Sequence, residues 1–285
     1  MFDNNAAVHT GTLGRVCREL GVELPKPYVA AIADAERVKK TLDGIGGQDT
    51  ARRLTRAAFD AVLAGADPLT DPDVQKLATL QQLELGGIYP AAEQQRREMI
   101  SEAVSANANF FTEAWCDSVA GDAELLVATA QSDVFTGVEI LHDMRPADLV
   151  DAEAHRMWVE AATATRRLDS AASGFGALMA ATGLRYRPEH KVLVLAAGVE
   201  LIELTTAINE RDLLDNRKTA DAWRIARAGI TPRLHRTLAD FMATVSRITA
   251  EQNARDEEAQ EIIKRSGFNS PTPEQARRYA ELMEH

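Results

Sequence analysis

The chain of 285 residues has little of what would point to a particular chemistry. Cysteine occurs twice, at Cys17 and Cys116, far apart and outside any C-x-x-C pair. That excludes a disulfide framework and a thiolate zinc site, and it fits a reducing compartment. The longest apolar run, Val192–Val199, is far below the roughly 20 residues a spanning helix needs. Met1-Phe-Asp-Asn-Asn has no basic stretch leading into an apolar one, so no secretory signal is read there. The expectation is a soluble cytoplasmic protein that does not engage membranes.

Phosphate-binding loops are missing as well. There is no Walker A loop, and Leu195-Ala-Ala-Gly198 shares one glycine with G-x-G-x-x-G. Neither a serine elbow nor a paired-histidine zinc motif occurs. These gaps argue against an enzyme and against a cofactor, and none of either is expected. Lysine is scarce, standing only at 26, 39, 40, 76, 191, 218 and 264, and the net charge is −11. Polyanions are bound mainly by Lys and Arg, so broad nucleic-acid binding is disfavoured, and docking on anionic lipid likewise. Aromatics make up 5% of the chain, which predicts a core of Leu, Ile, Val and Ala.

What is present is helix-forming. Alanine, the best helix former, is abundant, and Gly and Pro sit where they would punctuate helices. The arginine-over-lysine bias with high alanine points to a GC-rich genome. Apolar spacing predicts helices over 12–21, 27–42, 48–64, 72–85, 90–115 and 148–179. Asp71-Pro72 reads as a cap followed by proline in the first turn. Two apolar runs fit helix or strand by period alone. Residues 122–130 read as the start of a helix to about 143. Residues 191–198 read as a buried helix continuing to Ile208, because a lone strand has no partner. The predicted fold is an all-α multi-helix bundle with long helices and two lobes. An N-terminal region spans 1–66, the main bundle 71–265, and a linker with a short terminal helix 266–285.

Thr231-Pro232 is read as the cap of the most regular element, running to about 265. Leu234, Leu238, Phe241, Val245 and Ile248 alternate spacings of four and three, a heptad seam continued in register by Gln252, Arg255, Ala259 and Ile262. Such a stripe must be covered by the chain itself or by another subunit. These five residues are therefore the candidate interface. The polar stretch 252–261 predicts that the distal half of the helix protrudes.

Three other constellations compete. Leu13–Val22 resembles the first helix and turn of a helix-turn-helix. The segment from Pro27 would then be the recognition helix of a DNA-binding regulator over 12–40, offering Lys26, Tyr28, Arg37 and Lys39. The turn is long, however, with two prolines, and Asp34 and Glu36 oppose a phosphate backbone. Glu139-Ile-Leu-His142 has the Glu-x-x-His spacing of ferritin-like di-iron bundles, but a second copy is missing and Asp151/His155 lacks the spacing. Cys116 would need a base such as His142 or His155 to act as a nucleophile. The pairs Arg52-Arg53, Arg96-Arg97, Arg166-Arg167 and Arg277-Arg278 read as solvated helix faces. The reading that results is a non-enzymatic assembly or scaffold-type subunit, of the kind phages and mobile elements encode. It would act by helix-mediated binding of a protein partner or of a second copy in a homo-oligomer.

Overall fold

The computed structural model describes residues 6–45, 49–138, 141, 144, 149, 151–184, 190–199 and 221–266. They are all-α. The helices are α1 (Ala6–Leu20), α2 (Lys26–Ile45), α3 (Thr50–Leu63), α4 (Pro72–Leu85), α5 (Ile88–Ala106), α6 (Ala108–Ala130), α7 (Ala152–Ala181), α8 (His190–Leu195), α9 (Ala222–Arg227) and α10 (Leu238–Ser266). A 3-10 turn covers Asp133–Phe135. No described helix is long and apolar enough to cross a membrane.

The chain divides into two compact units. The first comprises Met1–Arg15, Glu23–Ala108 and Ala177–Leu184, the second Val16–Val22, Asn109–Gly176 and Arg185–His285. In the first, α2 packs on α5, and α3 and α4 form a hairpin beside them. Leu13, Tyr28, Ile100, Val104, Leu178 and Met179 are buried here. Arg96 of α5 is also buried, bonded through Nε and Nη2 to Glu93 at 2.9 and 2.8 Å and 3.6 Å from Glu36 of α2. This guanidinium is not a solvated face, because an isolated charge at that depth would cost several kcal/mol without its carboxylates, about the penalty of a buried unpaired ion. The pairing holds the Glu93 carboxyl below its ordinary range.

The core of the second unit is mainly Ala, Leu, Val and Ile, as expected, around a centre of aromatics. Trp115 and Phe111 meet at a tilt with centroids 5.6 Å apart, Phe175 meets Phe241 edge-on at 5.3 Å, and Phe135 meets Trp223 at 5.7 Å. The few aromatics are concentrated where each buries most area. Gly174 of α7 lets that centre close. A Cβ there would lie 2.9 Å from both Trp115 Cη2 and Val16 Cγ1.

Several sequence expectations need correction. The segment 90–115 is two helices: Asn107 bonds its side chain back to the Ala103 carbonyl at 2.8 Å and ends α5. Asparagine offers the backbone such an alternative partner, which is how it breaks helices. The run 122–130 is helical, but it ends α6 at Ala130 rather than opening a helix to 143, and a 3-10 turn follows at Asp133–Phe135. The run 191–198 divides: α8 stops at Leu195, and Ala196 forms a single parallel bridge with Arg233. Ala197 N–H donates to the Arg233 carbonyl at 3.0 Å and Arg233 N–H to that of Leu195 at 2.6 Å. Because 231–236 spends its backbone groups there, the last long helix begins at Leu238, not Thr231. Its cap is Thr237, whose Oγ1 accepts the Asp240 N–H at 3.0 Å.

Candidate interaction surface

The α3–α4 hairpin leaves most of its surface exposed. Each helix has 14 residues, a length marginal in water without tertiary support. The two run antiparallel. Thr50 Oγ1 at the start of α3 donates to Glu84 Oε1 at the end of α4, 2.9 Å away, and the 64–71 loop joins the other ends. Asp71 caps α4, accepting the N–H groups of Asp73 and Val74 at 2.9 and 3.1 Å. Gly65, at φ 73°, closes α3, with the Ala66 N–H reaching the Ala61 carbonyl. That left-handed conformation favours glycine.

The covered side of the hairpin is thin: Ala61, Val74, Leu77 and Thr50 are its buried residues. Twelve large apolar side chains are conspicuously exposed among the described residues, and seven lie between 59 and 89. Phe59, Val62 and Leu63 stand on α3, the last 84% exposed, and Leu85, Ile88 and Tyr89 lie around the α4–α5 turn. Leu69, 79% exposed, stands on a fixed turn. Its N–H is held by Asp67 Oδ1 at 2.9 Å and its carbonyl by Gln75 Nε2 at 2.8 Å. Arg52, Arg53 and Arg56 line the rest of α3 and are exposed, against one acid, Asp60, 4.0 Å from Arg56. Scattered exposed apolar residues are ordinary, but a concentrated set beside charge marks an interaction surface. The apolar period alone could not reveal this, because it shows that a face is apolar and not which face the neighbours leave open.

The heptad residues lie elsewhere. Phe241 is fully buried, Leu234, Leu238 and Ile248 are buried, and Val245 is half-buried. Leu234 precedes the helix rather than belonging to its stripe. The chain itself covers this stripe as far as Ile248, so these side chains are not on offer at the surface of the folded chain. Beyond Ile248 the described side chains to Glu261 are exposed, apart from half-buried Glu251.

The four residues proposed for DNA are not gathered on one face. Tyr28 is 3% exposed, in the core of its unit. Arg37 is bonded to Asp34, while Lys26 and Lys39 are exposed. The metal candidates Glu139 and His142 lie outside the described residues, and no cluster of three His, Cys, Asp or Glu able to hold a metal forms among the described ones. His155 stacks on Trp158 at 5.9 Å. Cys116 Sγ lies 3.4 Å from the His235 carbonyl and 3.6 Å from that of Leu234. Burial pushes its thiol up to about 11, the opposite of what a nucleophile requires.

Sequence reasoning missed two polar anchors of the second unit, one buried and one half-buried. His235 is buried, and its Nε2 lies 3.0 Å from the Leu193 carbonyl, so that nitrogen carries the ring proton. Burial holds its pKa below the ordinary value of 6.5. Arg167 reaches Asp122 Oδ2 at 2.7 Å, the Ser118 carbonyl at 2.9 Å and the Glu19 carbonyl at 3.4 Å. The end of α1 is thereby tied to α6 and α7. Their contacts among the described residues, backbone carbonyls and one carboxylate, read as structural. No protein-family model, no curated protein and no solved structure matches this chain.

Proposed function

We propose that the protein is a non-enzymatic assembly or scaffold-type subunit that docks another polypeptide on the α3–α4 hairpin. The observation that supports this reading is the exposure of three large apolar side chains on α3, Phe59, Val62 and Leu63, with Leu69 on the adjoining turn and three exposed arginines along the same helix. A partner laid over this face would remove apolar area from water at about 25 cal/mol per Å2. It would also give the hairpin the support its length requires. An encoded role in phage or mobile-element assembly is compatible with this reading.

The test places a photo-crosslinking residue at Leu63, with Val159 of α7, also exposed, as the control position. Irradiation in the producing cell and of the purified chain is followed by mass spectrometry. The expected result is a protein adduct at 63, absent at 159 and lost when Phe59→Ser is added. Adducts no stronger at 63 than at 159 overturn the reading.

A further inference from the structure

We infer that the polypeptide docked on α3 is the outer half of α10 from a second copy of this chain, lying antiparallel to it. This rests on the reading of α3 as a docking face. α3 exposes Arg52, Arg56, Phe59 and Leu63 at positions i, i+4, i+7 and i+11, one stripe about 16 Å long at about 1.5 Å per residue. Past Ile248, α10 exposes Ala250, Ala254, Glu257 and Glu261 at the same four spacings. Laid antiparallel, Arg52 meets Glu261 and Arg56 meets Glu257, while Phe59 lies over Ala254 and Leu63 over Ala250. Large side chains then rest on small ones, which lets the helices approach, and both charged pairs are opposite in sign. A parallel arrangement would set arginine on alanine and phenylalanine on glutamate, leaving charges unpaired against apolar groups.

The net charge of −11 repels anionic lipid, nucleic acid and a second copy alike, so the choice of occupant rests on the matched spacing and opposite sign of the two stripes. A single contact about one helix wide, about 10 Å, falls short of the roughly 1,200 Å2 typical of specific interfaces. The association is therefore weak and salt-sensitive.

Sedimentation equilibrium and light scattering on the full chain, across micromolar concentrations at low and high salt, read this out. The wild type is expected to exchange between monomer and dimer, with added salt weakening association. Arg52→Glu/Arg56→Glu and Glu257→Arg/Glu261→Arg should each weaken self-association by about tenfold, since exposed pairs contribute about 0.2–1 kcal/mol each and two attractions become repulsions. An equimolar mixture of the two variants should dimerise again, because each α3 then faces a partner α10 of opposite sign. Matching circular dichroism melts exclude misfolding as the cause of a loss. A wild type that stays monomeric, or a dimer indifferent to both reversals, overturns the inference. If adducts at Leu63 map to a different protein or to lipid, the α10 assignment falls. A different protein leaves the docking reading standing, lipid removes both, and the absence of any adduct removes both.

Discussion

At the residue scale, the buried positions carry the sharpest consequences. Gly174→Ala should destabilise the fold although alanine is favoured in a helix by about 1 kcal/mol. The added methyl meets the rigid rim of Trp115 and Val16, both fully buried. Overpacking of this kind costs about 1–3 kcal/mol, so a lowered denaturant midpoint is the expected outcome and an unchanged or raised one contradicts the packing. His235 titrates in the direction set by its burial. Its folded pKa lies below 6.5, so it is neutral when folded, while the unfolded chain takes up a proton as pH falls through 6.5. Stability is then full above that pH and declines below it until the folded value is reached. The wild-type midpoint should drop on acidification from 7 to 5 more steeply than that of His235→Gln, whose amide can still donate to Leu193. Parallel curves would place the acid sensitivity elsewhere.

At the element scale, the start of α10 shows how a tertiary bridge overrides a local signal. Thr231-Pro232 is a sound cap by sequence, yet the backbone of 231–236 is used by Leu195, Ala197, Thr112 and Cys116. Thr237 inherits the cap. Thr237→Ala should therefore cost about 1 kcal/mol in thermal or chemical unfolding, within the usual range for a lost N-cap. Thr231→Ala, which leaves the α10 cap in place, should cost visibly less. Equal losses would return the cap to Thr231. The α3–α4 hairpin shows the reverse case. Its caps, turn glycine and helical period are all legible in Asp71-Pro72, Gly65 and the apolar spacing, and local signals alone build it. The same sequence says nothing about Phe59, Leu63 and Leu69 being left outside.

At the scale of the whole molecule, charge and exposed apolar surface work together. Net negative charge keeps copies apart at long range and fades within about 8 Å at physiological salt. The arginines of α3 are a local reversal of that sign. Association should thus depend on both faces of the α3 stripe, its arginines and its apolar pair. Phe59→Ser/Leu63→Ser in the full chain is expected to remove association at every salt concentration in light scattering, whereas Arg52→Glu/Arg56→Glu acts most strongly at low salt. If both variants associate as the wild type does, the surface is not used.

The sequence alone determined the helical class, the helices of the α3–α4 hairpin, and the mixed-charge, helix-forming texture of the chain, whereas 122–130 fitted helix or strand by period and became the end of α6 in the structure. These follow from interactions within a few residues, namely propensity, capping and period, which the linear order records. Only the tertiary structure decided where the heptad stripe finds its cover, that Tyr28 is core rather than recognition surface, and that Arg96 and Arg167 are anchors. It alone decided that Ala196 meets Arg233 and that an apolar face is left open on α3. Each of these depends on which distant segment arrives beside a residue, and a repeat of four and three marks an apolar face equally whether its cover is the same chain or another.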